Sequence, residues 1–358
     1  MSDEHTSAKA SPVAGAATPV TNTPKRRRRR RNAQGKTQPS VFGAVDLGTN
    51  NCRLLVAKPV GDSFRVIDSY SRTVRLGAGL ASSGALSQTS MDAAVEAIAV
   101  CASKMKHNKV RRWRCIATQA CRQASNGEEF LARVKAKTGL TFELISPRVE
   151  SRLAVMGCVA LTDMKKDVVL VVDIGGGSSE LSWVDVRKLR SGDTSARIHR
   201  PPISAWASLP VGVVTLSEAF PEHGDSPQAL AERYEAMKDH VRGLIIKAGC
   251  ETRFTKAFKQ GQGHIIGTSG TITSLAGIHL GLPYYQRDRV DGLWMQSIHA
   301  LNISRRMASL PKHLRAEEPC IGDDRASLLV AGCAIMDVLL TQWPAERIRV
   351  ADRGLREG

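Results

Sequence analysis

The sequence predicts an α/β protein whose two halves are structural duplicates separated by a cleft. Apolar strands alternate with amphipathic helices along most of the 358 residues, a pattern typical of layered sheets and helices. The segment VVLVVDIGGGSSELSWVDV repeats the plan of VFGAVDLGTNNCRLLVAKPV: an apolar strand, an aspartate, a glycine turn and a returning strand. Three glycine-bearing turns follow apolar strands, at residues 46–51, 173–180 and 267–271.

The first half, residues 41–153, begins with three strands joined by short connections, which predicts an antiparallel meander. The strands are VFGAVDLG, CRLLVAKPV and SFRVIDSYSRTVRL. The next segment, SQTSMDAAVEAIAVCASKMKHN, has the spacing of a helix with Ala94, Ile98 and Cys101 on one face. A strand, a helix, a strand and a helix then follow in RRWRCIATQA, NGEEFLARVKAKTG, TFELIS and RVESRLAVMGCVAL.

The second half, residues 154–358, restarts the pattern after a loop near Lys165. The repeated hairpin is followed by a long helix in SPQALAERYEAMKDHVRGLIIKAG. The segment GHIIGTSGTITSLAGIHLG then predicts a strand, the third glycine turn and a helix. An apolar helix, RASLLVAGCAIMDVLLTQW, and a last strand, RIRVAD, come before the final RGLREG. We expect a C-terminal helix to pack back on the first half.

Composition indicates a soluble protein of the cytoplasm with no membrane contact. No apolar run approaches the roughly 18 residues that a membrane-spanning helix needs. The opening residues are acidic and lack the pattern of a secretory signal. The eight cysteines show neither the spacing of a zinc site nor that of a disulfide framework, so we expect free thiols.

The net charge of +17 is divided between a basic tail and the folded part. Residues 1–40 contain nine Lys/Arg and two acids, and their Ser/Thr/Ala/Pro/Gly-rich composition predicts disorder. This tail, with its PKRRRRRRN run, either contacts nucleic acid nonspecifically or is a solvated tail without a partner. The remaining charge of about +10 lies on the folded part and favours a polyanionic ligand.

The three glycine turns are candidate phosphate-binding sites. A strand that enters a tight glycine turn exposes consecutive backbone N–H groups, which together form an anion nest. A single turn of this kind is more often an ordinary hairpin, but three are harder to explain in that way. The candidate residues are Gly48, Thr49, Asn50, Gly175, Gly176, Gly177, Ser178, Ser179, Gly267, Thr268, Ser269 and Gly270.

Carboxylates accompany the first two turns. Asp46 and Asp173 end apolar strands, and Glu180 lies on the strand that returns from the second turn. Carboxylates beside a phosphate nest repel the ligand unless a cation lies between them, so we expect Mg²⁺ or Mn²⁺ bound at Asp173, Glu180 and Asp46. The alternative is a strand-end aspartate that only accepts backbone hydrogen bonds.

Seven motifs in order resemble the exopolyphosphatase/guanosine pentaphosphate phosphatase (Ppx/GppA) family. They are AVDLGTNNCRLLVA, TVRLGAGL, ATQACRQASNGEEF, ELISPRVESRLAVMG, LVVDIGGGSSELSWV, IGTSGTITSLAGI and DRGLREG. The resemblance covers residues 41–358 and implies two actin-like (ribonuclease H-like) domains of the acetate kinase–sugar kinase–Hsp70–actin superfamily. It also implies a homodimer that hydrolyses terminal phosphoanhydrides of polyphosphate, of guanosine pentaphosphate, or of both.

The resemblance also implies roles for individual residues. The family's catalytic glutamate matches Glu150 in SPRVESR, where it would act as the general base toward water. The family's arginine in ATQACRQA matches Arg122, which would clamp phosphate. Its metal-binding aspartate and glutamate match Asp173 and Glu180.

The sequence departs from the family pattern in three places. Asn51 replaces a hydroxyl residue of the first turn, and residues 147–149 replace glycine, polar and acidic residues before Glu150. The chain ends at LREG, so we expect it to lack the C-terminal domains of longer members and to degrade long polyphosphate with low processivity.

Two other functions are compatible with the same phosphate loops. One is a kinase of the superfamily, which would transfer phosphate from ATP to a small acceptor. The other is a catalytically weak protein that binds polyphosphate, alarmone or RNA, or an actin-like scaffold. Acceptor-dependent ADP formation would indicate the kinase, and tight binding without hydrolysis would indicate the binding protein.

Overall fold

Eleven strands form two sheets in the part of the chain that the structure, a computed structural model, describes: residues 40–61, 63–191 and 200–358. The predicted basic tail lies outside these residues up to position 39. The strands are β1 (Phe42–Leu47), β2 (Asn51–Val60), β3 (Ser63–Thr73), β4 (Arg112–Ala117), β5 (Glu143–Leu144), β6 (Val168–Ile174), β7 (Ser179–Asp185), β8 (Ile203–Leu209), β9 (Gly263–Thr268), β10 (Trp294–Gln296) and β11 (Arg347–Ala351).

Helices connect these strands and cover the sheets. They are α1 (Leu80–Ser83), α2 (Gln88–His107), α3 (Gln119–Gln123), α4 (Gly127–Thr138), α5 (Pro147–Cys158), α6 (Val186–Arg190), α7 (Val213–Ala219), α8 (Pro227–Lys247), α9 (Thr255–Lys259), α10 (Ser269–His279), α11 (Arg287–Val290), α12 (Ser297–Ser309), α13 (Lys312–Ala316) and α14 (Asp323–Gln342). None of these helices combines the length and the apolar composition needed to cross a membrane.

The two sheets share one topology, which confirms the predicted duplication. The first has the strand order β3-β2-β1-β4-β5, and the second has β8-β7-β6-β9-β11 with β10 added at its edge. In each sheet three antiparallel strands form a meander whose first strand pairs in parallel with a later one. The predicted α/β class with two duplicated halves is therefore correct.

The sequence patterns missed strand β8 and the short edge strand β10. β8 (ISAWASL) contains four small residues and follows two prolines, so its apolar alternation is weak. It pairs antiparallel with β7 and completes the second meander. The duplication itself contained the missing signal, because a repeat of the first half requires a third antiparallel strand at this place.

The central strands of the two sheets differ in burial. All seven residues of β6 (VVLVVDI) are buried, whereas buried and more exposed residues alternate along β1 (FGAVDL). A strand covered on both faces becomes a continuous apolar run, and a half-covered strand alternates. The larger core therefore lies in the second half, where helices α8, α10, α12 and α14 pack around β6 and β9.

Helix α5 links the two sheets, so the proposed division between residues 153 and 154 falls inside a helix. Leu153 packs with Ile116 and Ile145 beside the first sheet, while Val155 and Cys158 pack against the second. At the end of the chain, residues 352–358 form turns. Leu355 of this segment packs beside Ile116 and Ile145.

Candidate active site

A cleft of about 500 Å³ brings the three predicted turns together. Strands β6 and β9 are parallel neighbours in the second sheet, and β1 has in the first sheet the place that β6 has in the second. The turns that follow these three strands therefore all line the cleft. Predicted site residues that line the cleft are Asp46, Gly48, Thr49, Asn50, Glu150, Asp173, Gly175, Gly176, Gly177, Ser178, Thr268, Ser269 and Gly270. Four others lie behind the cleft wall: Arg122, Ser179, Glu180 and Gly267.

Two glycines of the GGG turn allow the first and second turns to approach each other. A Cβ atom added at Gly176 would lie 2.9 Å from Cβ of Thr49, and one added at Gly177 would lie 2.8 Å from Cγ of Gln119. A Cβ added at Gly270, by contrast, has nothing within 4 Å. The absence of side chains at Gly176 and Gly177 is therefore explained by contact between turns, whereas Gly270 faces open space.

The turns also present backbone N–H groups toward the cleft. Those of Thr49, Asn50, Gly176 and Gly177 donate to no backbone carbonyl among the described residues. Helix α10 begins at Ser269 without a capping side chain, so its first N–H groups have no partner within the helix. Free N–H groups at turns and at a helix N-terminus attract anions. The geometry therefore suits phosphate oxygens.

Five arginines that the sequence patterns did not single out also line the cleft: Arg53, Arg287, Arg325, Arg353 and Arg356. Some of them are engaged by acids, since Arg287 binds Glu357 at 2.9 Å and Arg353 binds Asp291. Within the described residues, Arg53 and Arg325 form no ion pair. A guanidinium group can donate two parallel hydrogen bonds to two oxygens of one phosphate.

The carboxyl groups of the first two turns have raised pKa values. Burial raises the pKa of Asp46 to about 6, although the nearby Arg53 opposes the rise. Burial, with the Asp173 charge beside it, raises the pKa of Glu180 to about 7. Burial also raises the pKa of Asp173, whose Oδ1 accepts a hydrogen bond from Ser269 Oγ. Negative charges at these positions thus destabilise one another in the folded chain.

Glu150 lies in the first turn of α5 and is almost fully buried. Ser146 caps the helix and Pro147 occupies its first position, where proline is well tolerated, so the unusual Pro147–Val149 stretch starts the helix without displacing Glu150. Burial, together with the charges of Glu180 and Asp173, raises the pKa of Glu150 to about 9. Without a compensating cation this carboxyl is protonated near neutral pH.

Arg122 lies behind Glu150 instead of facing the cleft. Its Nη1 is 3.4 Å from Glu150 Oε2 and 2.6 Å from the carbonyl oxygen of Ile145. Its Nη2 donates to Gln119 Oε1. These contacts hold Arg122 beside the Glu150 carboxylate, and the predicted phosphate clamp at Arg122 stays a prediction.

The acid cluster fits a divalent cation that is held largely by water and substrate. Among residues 40–61, 63–191 and 200–358, no three His, Cys, Asp or Glu side chains converge closely enough to form a protein-only metal cage. Mg²⁺ is usually held by one or two carboxylates, with waters and phosphate oxygens completing its shell. Asp46 and Asp173 both line the cleft, and the charge of Asp173 adds to burial in raising the pKa of Asp46, so a cation between them would be favourable.

Comparison with known proteins agrees with this geometry. Residues 55–358 match the model of the Ppx/GppA phosphatase family. The crystal structure of an Aquifex aeolicus member of that family aligns with 26% identity and a TM-score of 0.68, over 89% of this chain and 96% of that one. An exopolyphosphatase from Cytophaga hutchinsonii shares the fold at 20% identity and a TM-score of 0.75, over 89% and 96% of the two chains. The resemblance seen in the seven motifs is thereby confirmed.

Proposed function

We propose a substrate for this chain, which belongs to the Ppx/GppA phosphatase family and is a hydrolase of phosphoanhydride bonds. The proposed substrate is inorganic polyphosphate, guanosine pentaphosphate, or both. The observation that carries the proposal is one cleft lined by Glu150 and by the three turns that are candidate phosphate-binding sites. A chain of phosphates fits a cleft with free N–H groups and arginines on its walls, because each group binds phosphate oxygens.

The reaction is an in-line displacement at the terminal phosphorus. A water oxygen forms the new bond to phosphorus while the bond from phosphorus to the bridging oxygen breaks, and the shortened chain leaves with that oxygen. Glu150 accepts the proton that the attacking water loses. The N–H groups of the turns and the arginine side chains of the cleft hold the phosphate oxygens in line with that water.

Glu150 must be ionised to accept a proton, although burial and neighbouring acids raise its pKa to about 9. A Mg²⁺ or Mn²⁺ ion held by Asp173 and Asp46 would supply positive charge at this point and also neutralise the phosphate oxygens. Glu180 lies on β7, just after the second turn, and adds negative charge there. Its Oε1 accepts a hydrogen bond of 3.0 Å from Ser208 Oγ. Arg122 keeps the Glu150 carboxylate oriented through its contacts behind the cleft.

The choice of water as acceptor distinguishes this proposal from a kinase of the same superfamily. A kinase would need the acceptor hydroxyl of a second substrate at the position of the attacking water. The buried Glu150, in contact with Arg122 and close to Asp173, is suited to activating a molecule as small as water. We therefore propose hydrolysis without a second acceptor.

The test measures phosphate release in the presence of Mg²⁺ from long-chain polyphosphate and, separately, from guanosine pentaphosphate. The Glu150→Gln variant should lose about 10³-fold in kcat, the range expected for removal of a general base. The matched control is Glu143→Gln, because Glu143 is an exposed acid paired with Arg114 on the outside of the first sheet. This control should retain activity within about two-fold of wild type.

The outcomes separate the parts of the proposal. Wild-type activity that survives in Glu150→Gln would contradict the assignment of the base while leaving the substrate class intact. No release from either substrate, with Mg²⁺ or with Mn²⁺, would overturn the proposed substrates. The ratio of kcat/KM for the two substrates then decides which of them is preferred.

A further inference from the structure

Ser269 has a backbone conformation that glycine would adopt at lower cost. Its φ is 73°, in the left-handed region, where the Cβ of an L-residue is crowded. Four non-glycine residues of the described chain have a positive φ, namely Arg75, Lys109, Phe254 and Ser269. Of these four, only Ser269 lines the cleft. Such conformations in functional clefts persist where the side chain contributes something that glycine cannot.

The side chain of Ser269 makes a single defined contact, which is to the strand-end aspartate. Strand β9 ends at Thr268, which is paired in parallel register with Asp173 of β6, and Ser269 follows it at the start of α10. From this position the Ser269 hydroxyl donates to Oδ1 of Asp173. No other side chain of the described residues donates a hydrogen bond to this carboxylate, and Oδ2 remains without one.

We propose that Ser269 is a positioning residue that fixes the orientation of the Asp173 carboxylate in the cleft. The inference rests on the proposed function, because it assigns Ser269 an effect on catalysis through Asp173. One carboxylate oxygen is engaged by the hydroxyl, and the other is thereby held ready for a ligand. This positioning role of the hydroxyl is an alternative to the predicted direct contact of Ser269 with phosphate.

Two substitutions separate the hydroxyl from the backbone strain. Ser269→Gly removes the hydroxyl and relieves the strain, whereas Ser269→Ala removes the hydroxyl and keeps it. Both variants should lose about 10-fold in kcat with KM for polyphosphate unchanged, since a hydrogen bond to a charged group is lost. Ser269→Gly should unfold about 2 °C higher than Ser269→Ala.

A second measurement does not depend on turnover. The dissociation constant for Mn²⁺, followed by the signal of free Mn²⁺ in electron paramagnetic resonance, should rise about 5-fold or more in both variants. The matched control is Lys109→Gly, which relieves strain at an exposed position with a φ of 55° outside the cleft. This control should leave kcat, KM and the Mn²⁺ affinity unchanged.

Several results would overturn the positioning role. A rise in KM with kcat unchanged would assign the hydroxyl to phosphate binding. Unchanged kcat in both variants of an active enzyme would remove any role in catalysis. If wild type releases no phosphate, the proposed function has failed, and crystal structures of wild type and Ser269→Gly decide the present question. A single identical orientation of Asp173 in both would then refute the inference, and a turned or divided carboxylate would support it.

Discussion

The two aspartate turns have the same backbone plan but opposite charge across their hairpins. In the first half, Asp46 of β1 lies directly opposite Arg53 of β2. In the second half, the equivalent Asp173 of β6 lies directly opposite Glu180 of β7. Opposite charges at such a pair stabilise each other, whereas like charges destabilise each other. The first turn is therefore locally neutral, and the second is locally anionic.

From this difference we propose that the two turns have separate tasks. The arginine of the first turn suits the binding of phosphate oxygens. The repulsion between the two acids of the second turn favours a divalent cation at Asp173, the one of them that lines the cleft. Arg53 would then bind the substrate anion and Asp173 would be the main ligand of the metal, with Asp46 as a weaker second ligand because Arg53 partly neutralises it.

The sharpest comparison is between the two aspartates. Asp173→Asn should reduce kcat by about 10²–10³-fold, because a charge that acts in the reaction is removed from a water-poor site. Asp46→Asn should cost less than about 10-fold, because Arg53 remains and still attracts phosphate. Phosphate release from polyphosphate at saturating Mg²⁺ measures both. Equal losses in the two variants would show that the two turns share one task.

The next prediction concerns the arginine of the first turn. Arg53→Gln should raise KM about 10–100-fold with a smaller change in kcat, because a charge-assisted hydrogen bond to substrate is lost. Arg53→Lys should recover part of the affinity, since it restores the charge without the planar fork. Arg65→Gln is the control, because Arg65 is an exposed residue of β3 outside the cleft. A kcat effect without a KM effect in Arg53→Gln would place the arginine in the chemical step.

The anionic second turn should make the metal-free protein less stable at alkaline pH. The pKa of Glu150 is raised to about 9 in the folded chain and is about 4.3 in an unfolded one. Between these two values the folded state holds a proton on Glu150 that the unfolded state has released. The stability that this proton contributes is complete below the unfolded pKa and is lost as the pH rises toward 9. The free energy of unfolding should therefore fall by about 1 kcal/mol per pH unit between pH 7 and 9.

Urea denaturation in EDTA over this pH range measures the slope. The charges that act on Glu150 are those of the acids Glu180, Asp173 and Asp46 and of Arg122. Mg²⁺ should neutralise this acidic cluster, and the free energy of unfolding should then depend less on pH. The control is Glu150→Gln, which cannot titrate and should remove most of the slope. A slope that persists unchanged in this variant would mean that other groups control the alkaline loss of stability.

The smallest expected effect concerns the contact between the two halves. Arg75 follows β3 and forms an ion pair of 2.7 Å with Asp324 of α14, although both side chains remain more than half exposed. Exposed pairs contribute about 0–1 kcal/mol, so Asp324→Asn should lower stability by less than about 1 kcal/mol and leave kcat within two-fold. Thermal unfolding at low and high salt measures this contribution. A larger loss of activity would show that the pair controls closure of the cleft.

Much of the site was predictable because it depends on local sequence. Strands that end in Asp-Leu-Gly and Asp-Ile-Gly, and a third glycine turn, are encoded within a few residues each. Thirteen of the predicted site residues line one cleft, including Glu150. The antiparallel pairing of each hairpin also follows from short connections, so the opposition of Asp46 and Arg53 was within reach once the register was considered.

Other parts of the site depend on residues far apart in the chain. Arg325 lies in the first turn of α14 and Arg356 in the final turn of the chain, and nothing in their local patterns indicates that they line the same cleft as the first glycine turn. The resemblance implied a phosphate contact for Arg122, and only the folded chain shows that Arg122 also contacts the Ile145 carbonyl and the Glu150 carboxylate. Two glycines of the GGG turn serve a contact with Thr49 and Gln119 that only the folded chain creates.

The sequence by itself determined which backbone segments form strands, turns and helices, and which residue types stand at the strand ends. These properties follow from interactions among neighbours along the chain. Only the tertiary structure decided which charges face one another and how strongly they repel. Burial removes water from Asp46, Asp173, Glu180 and Glu150, and it is this desolvation, supplied by packing of distant segments, that raises their pKa values.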